Sequence, residues 1–168
     1  MEGVAMGEKR KEECSVSNLD FIREHIPRSA LWDQLGEELA ELLQALYKSR
    51  RACGNGSPTP VTVDAAIAAV QEEISDVVNC CKVIGIPVHE VDGEELDEYT
   101  FPVIVDCIGA AFRYMSRTRQ HWEREYTVSD CICVALTNCK LQGYSIDFDP
   151  ESPKLARWVE RIKEAQNG

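Results

Sequence analysis

Two pairs of acids have a spacing that can do chemistry. They are Glu38 with Glu41 in LWDQLGEELAELLQALYKSRR (31–51), and Glu73 with Asp76 in EEISDVV (72–78). The members of each pair are spaced i, i+3, so on a helix both carboxylates lie on one face about one turn apart. A lone pair of this kind in an acidic chain usually describes a solvated helix face. The neighbouring residues argue for something else. Projected at about 100° per residue, Leu35, Leu39, Leu42 and Leu46 form one face, with Glu38 between Leu42 and Ala45 and Glu41 just beyond. Glu37 points away. In the second stretch Glu73 projects into an arc of Ala69, Val77, Cys80 and Ile84, with Asp76 at its edge and Glu72 turned away.

An ionised carboxylate in an apolar stripe costs several kcal/mol unless it is paired or bound to a metal. Four such groups facing one another would repel. Together they describe an oxygen-lined box for a hard divalent cation. Mg²⁺ is its natural occupant, because it accepts a few carboxylates, keeps waters and bridges to phosphates.

The elements that must position these acids read as helices throughout. SNLDFIREHI predicts a short helix capped by Ser17 or Asn18 and broken at Pro27. The first acid pair lies on a long helix starting near Ser29, and ACGNGSPTP, dense in Gly, Pro, Ser and Asn, reads as the loop after it. Thr62 then caps VDAAIAAVQEEISDVVNCCKVIG, which Gly85 and Pro87 stop. This loop lets the two acid-bearing helices pack antiparallel. IPVHEVDGEELDEY is an acidic connector that includes the insert 89–99. TFPVIVDCIGAAFRYMSRTRQHWER and TVSDCICVALTNCKLQGY supply two more helices, and SPKLARWVERIKEA supplies a short last one. Strand alternation is scarce and no fixed repeat is present. The expectation is an all-α helical bundle of four main helices plus short flanking ones, with 1–16 a flexible N-terminus and 17–168 a single domain.

Composition limits the partners. The 168 residues, 44% hydrophobic and 28% charged, fit one ordinary domain. A formal net charge of −11 opposes nucleic-acid binding, which needs a basic stripe to displace counterions. The start lacks the apolar core of a signal peptide and no run reaches membrane-span length, so a cytoplasmic protein without membrane contact is expected. Of the eight cysteines, Cys80, Cys81, Cys107, Cys131, Cys133 and Cys139 sit in apolar helical patterns and read as small core residues. No C-x-x-C pair suggests zinc. His25, His89 and His121 are scattered and none completes the E-x-x-H pair of a di-iron bundle. No serine or cysteine has a local base or elbow motif.

QLGEELAELLQAL followed by EEISDVV resembles the E-x-x-E and E-x-x-D signature of the MazG-like all-α nucleoside triphosphate pyrophosphohydrolases. Gln34, Glu37, Glu38, Glu41, Leu42, Ala45 and Lys48 look like the first metal-binding helix of that superfamily, and Glu73, Asp76 and Val77 look like the second. KLARWVERI is similar to a basic C-terminal segment found in the group. The connection between the acid-bearing helices is longer than in compact members, and HEVDGEELDEY has no counterpart.

The resemblance implies hydrolysis between the α and β phosphates, giving a nucleoside monophosphate and pyrophosphate. Its metal ligands are expected at Glu38, Glu41, Glu73 and Asp76, with Mg²⁺ or Mn²⁺, and with Glu41 doubling as water-orienting base because a water could reach the edge of its arc. Lys48, two turns after Glu41, is the nearest candidate for the outer phosphates. Lys154 and Arg157 share a helix face and could close the site from the C-terminus. Trp32 could stack on a base and Gln34 read its edge, while Asn79, one turn past Asp76, could meet sugar or phosphate. The family and the apolar circumference of the two helices both point to a homodimer or homotetramer. The competing class is a non-catalytic helical bundle whose retained metal site serves binding or assembly.

Overall fold

A computed structural model describes residues 17–91, 101–118 and 125–167. The expected flexible N-terminus, most of the acidic insert and His121 lie outside them. Among the described residues the chain is all-helical, with six helices in the order α1 (Asn18–His25), α2 (Arg28–Ala52), α3 (Val63–Ile84), α4 (Phe101–Thr118), α5 (Glu125–Leu141) and α6 (Pro153–Asn167). No described helix is long and apolar enough to cross a membrane.

The boundaries follow local chemistry. Ser17 caps α1 by accepting from Asp20 N at 3.2 Å, and Thr62 caps α3 by accepting from Ala65 N at the same distance. Each satisfies a backbone donor that the first helical turn leaves free. Pro27 separates α1 from α2, since its fixed φ and missing N–H suit a helix start and not an interior. Gly85 ends α3 in the left-handed region at φ 88°, where its N–H and that of Ile86 turn back to Cys81 O at 2.9 and 2.8 Å.

Two helical hairpins, α2 with α3 and α4 with α5, make the closest associations, and α1 packs with α6 and α3. One apolar core runs through them. Leu35, Leu39, Leu42 and Leu46 of α2 meet Val70, Ile74, Val77 and Cys81 of α3, continuing into Ile104 and Ile108 of α4 and Ile132 and Leu136 of α5. Burying each such side chain stabilises the fold by roughly 1.5–3 kcal/mol relative to exposure.

Cys80, Cys81, Cys133 and Cys139 are buried, while Cys107 and Cys131 are half-buried, in keeping with core packing. Burial pushes the thiols of Cys80, Cys81 and Cys139 well up, so they stay protonated and inert at neutral pH. Cys133 Sγ does lie 3.6 Å from His89 Nδ1, but the thiol is fully buried.

Polar clamps fix how α1, the start of α2 and α6 meet α3. Arg23 donates to Val83 O and Lys82 O at 2.9 and 2.6 Å, and Arg28 to Ile84 O at 3.2 Å, so cations occupy the negative end of the α3 dipole. Gln71 grips the strandless segment before α6 from both sides, donating to Ser145 O and accepting from Ser145 N, each at 2.8 Å. Asn79 donates to Ser152 Oγ at 3.0 Å, and Ser152 Oγ accepts from Lys154 N at 3.3 Å. These bonds run the start of α6 along α3.

Candidate metal centre

The antiparallel packing of α2 on α3 brings Glu38, Glu73 and Asp76 together, with one oxygen of each within 4.8 Å of the others. Glu38 is buried to 2% exposure in the leucine stripe of α2, as the helical projection predicts, whereas Glu37 and Glu72 are exposed. Two groups answer Glu38. Gln34, one turn earlier, donates from Nε2 to Glu38 Oε1 at 2.5 Å. Lys154 of α6 forms an ion pair with Glu38 Oε2 and another with Asp76 Oδ2, the latter at 2.7 Å.

Glu73 is the uncompensated member. Its Oε2 is buried and has no hydrogen-bond partner among the described residues. Burial, then the charges of Glu41, Asp76 and Glu38, push its carboxyl from an ordinary 4.5 up to about 7, and Lys154 offsets only part of this. Burial also raises Asp76, against the hydrogen bond and charge of Lys154. For Lys154 burial acts to lower the ammonium, but the bonds and charges of Asp76 and Glu38 outweigh it and raise the group. A low-dielectric site with more negative charge than one ammonium balances is what a cation-binding site requires.

The donor set suits a hard divalent cation. All three groups offer carboxylate oxygens, no thiol or imidazole among the described residues joins them, and Glu73 Oε2 is buried without a hydrogen bond or ion pair among those residues. A single ammonium meeting two of three carboxylates leaves Glu73 without an ion pair among the described residues.

The remaining expected site residues divide. Glu41 is exposed and outside the three-carboxylate cluster, yet close enough that its charge acts on Glu73. Lys154 reaches the cluster as expected, while Arg157, next on the same helix, is exposed. Lys48 does not reach it, since its Nζ donates to Gln44 Oε1 at 2.9 Å. Asn79 is 2% exposed and its amide holds Ser152, so its visible work is to position α6 rather than to face solvent or sugar. Trp32 and Gln34, expected to serve one base, line different cavities. Trp32 faces Phe112 and Met115 of α4 in a cavity of about 340 Å³, and Gln34 faces Trp158 and Arg161 of α6 in one of about 240 Å³. Two residues along a helix is a rotation of about 200°, which sends neighbours i and i+2 to opposite sides. The sequence reading missed Trp158 and Arg161; their signal was the i, i+4 spacing from Lys154 to Trp158.

Comparison of the chain with protein-family models, with curated proteins and with solved structures finds no match.

Proposed function

We propose that the chain is a Mg²⁺-dependent nucleoside triphosphate pyrophosphohydrolase of the MazG-like type, releasing pyrophosphate and a nucleoside monophosphate. The observation that carries this reading is the convergence of Glu38, Glu73 and Asp76 from consecutive helices with Glu73 Oε2 buried and unpartnered. Glu38, Glu73 and Asp76 would hold the metal, with Mn²⁺ as a substitute, and Glu41 would join them from the exposed edge. When bound, the ion supplies charge neutralisation of the triphosphate and a more acidic water.

The chain's own groups have separate tasks in this reading. Glu41 carboxylate accepts the proton of the attacking water, because it is open to solvent beside Glu73. Lys154 Nζ contributes positive charge for the phosphates, and the ordered bonds of Asn79 and Gln71 keep α6 in register to deliver it. Gln34 holds the Glu38 carboxylate in one orientation. The same reading makes the protein a homodimer or homotetramer, supported by exposed Tyr47, Val61, Val63 and Ile67 at the loop end of the α2–α3 hairpin.

One observation favours a second reading, a non-catalytic bundle for binding or assembly. Lys154 pairs with both Glu38 and Asp76, so the cluster is partly an internal ion-pair lock between α2, α3 and α6. Product analysis separates the two. Purified protein with Mg²⁺ and a panel of nucleoside triphosphates should release pyrophosphate and monophosphate in equal amounts. Orthophosphate as the primary product contradicts the proposed bond, and no turnover of any nucleotide favours the lock.

A further inference from the structure

The cavity between α2 and α6 lies one helical turn from the acidic cluster on both of the helices that form it. Leu31 and Gln34 of α2, Trp158, Arg161 and Ile162 of α6, and Ile26 at the end of α1 line a space of about 240 Å³. Gln34 precedes Glu38 by four residues and is hydrogen-bonded to it. Trp158 follows Lys154 by four residues, and Lys154 is paired with the same Glu38. Numbering therefore falls along α2 while it rises along α6, so the two helices run antiparallel here. Both leave the cluster for the cavity by one turn, about 5.4 Å of rise. A nucleotide with its phosphates at the carboxylates has its sugar across that distance and its base beyond it.

The walls suit a base. Trp158 brings an indole ring, a group on which bases stack, to the lining, and Leu31, Ile26 and Ile162 offer an apolar surround. Arg161 carries N–H donors in a planar fork and no acceptor, a shape matched by two adjacent acceptors such as O6 and N7 of guanine. The cavity is smaller than the roughly 300–1,000 Å³ that encloses a drug-sized ligand, so it takes a ring system and not a whole nucleotide.

We propose that this cavity is a base subsite for a 6-oxopurine nucleotide, stacked on Trp158 with its O6 and N7 edge at Arg161. The proposal rests on reading the acidic cluster as the phosphate end of a nucleoside triphosphate site. Binding tests it without turnover. Guanosine monophosphate titrated with Mg²⁺ into the full chain should quench tryptophan fluorescence, and Trp158→Phe should remove that quench while calorimetry finds the affinity nearly kept. Trp158→Ala should weaken binding roughly tenfold. Arg161→Ala, at an exposed position that the fold does not need, should erase the preference for guanosine over adenosine monophosphate.

No quench in the wild type at millimolar nucleotide overturns the subsite, as does equal affinity in Trp158→Ala or an unchanged base preference in Arg161→Ala. The two readings fail separately. Base-dependent quenching in a protein that hydrolyses no triphosphate would remove the enzyme and keep the subsite. Hydrolysis of guanosine triphosphate with KM unchanged in Trp158→Ala would keep the enzyme and remove the subsite.

Discussion

Lys154 donates from Nζ to Asp76 Oδ2 across 2.7 Å, joining the last helix to the second acidic helix over 78 residues of sequence. The same ammonium pairs with Glu38, so one side chain bridges both acid-bearing helices.

Removing that ammonium leaves three carboxylates facing one another. Lys154→Met should lower stability in chelator-treated protein at neutral pH by about 2–4 kcal/mol, somewhat below the ~3–5 kcal/mol for breaking a fully buried pair. Mg²⁺ should recover much of the loss and stabilise this variant more than the parent, because ion and ammonium answer the same oxygens. Urea unfolding with and without Mg²⁺ measures both effects. A loss that Mg²⁺ leaves untouched would identify the cluster as an ion-pair lock.

Glu73 makes stability depend on pH. Its carboxyl is raised to about 7 when folded against an ordinary 4.5, chiefly by burial, so between these values the folded state keeps a proton that the unfolded chain releases. Its contribution is fully present below about pH 4.5 and is lost as pH rises through about 7. Glu73→Gln should flatten this part of the metal-free stability curve and exceed the parent above pH 7. Glu38→Gln should instead lower stability, because it removes the carboxylate that Lys154 pairs with. Denaturant midpoints from pH 5 to 8 decide it, and two variants that shift alike would contradict the asymmetry.

Gly36 sits inside α2 facing α4, where an added Cβ would meet Met115 Cε at 3.5 Å and Phe112 Cε1 at 3.9 Å, ordinary contact distances. Gly36→Ala should therefore stabilise by about 0.5–1 kcal/mol through helix propensity alone. A destabilised variant in thermal melts would mean that α2 and α4 approach more closely than described.

The acid geometry was legible because helical periodicity is local. Ser17, Pro27, Thr62 and Gly85 mark their helix ends through chemistry within a few residues, and rotation about one axis separates buried Glu38 from exposed Glu37. What one helix cannot reveal is which distant residue its inner face meets. Lys154 and Arg157 looked equivalent on α6, yet only Lys154 lies under the Ser152 and Asn79 bonds that seat the helix start. Trp32 looked like the stacking residue near Gln34, but the side facing Gln34 is closed by Trp158, more than 100 residues later. Lys48 was read by proximity along the helix, and its nearest partner proved to be Gln44 on its own surface.

Assembly has its own test. Val61, Val63 and Ile67 are exposed together at the start of α3, with Tyr47 exposed near the end of α2. Light scattering should find a homodimer or homotetramer at micromolar concentration, and Ile67→Glu should shift it towards monomer without loss of helical content. A monomeric parent protein would contradict this.

The central claim is that Glu38, Glu73 and Asp76 hold a divalent cation. Its most direct measurement is the thermal midpoint of chelator-stripped protein at neutral pH, with and without Mg²⁺ or Mn²⁺, repeated with a non-hydrolysable nucleoside triphosphate and with Glu73→Gln. An ion that binds only the folded state at a hundredfold excess over Kd stabilises by about 2.7 kcal/mol, which for a chain of this size is roughly 5–10 °C. The account predicts a rise of this order in the parent, a larger one with nucleotide, and little or none in Glu73→Gln. A parent midpoint indifferent to millimolar Mg²⁺ and Mn²⁺, with nucleotide present as well as absent, would contradict it.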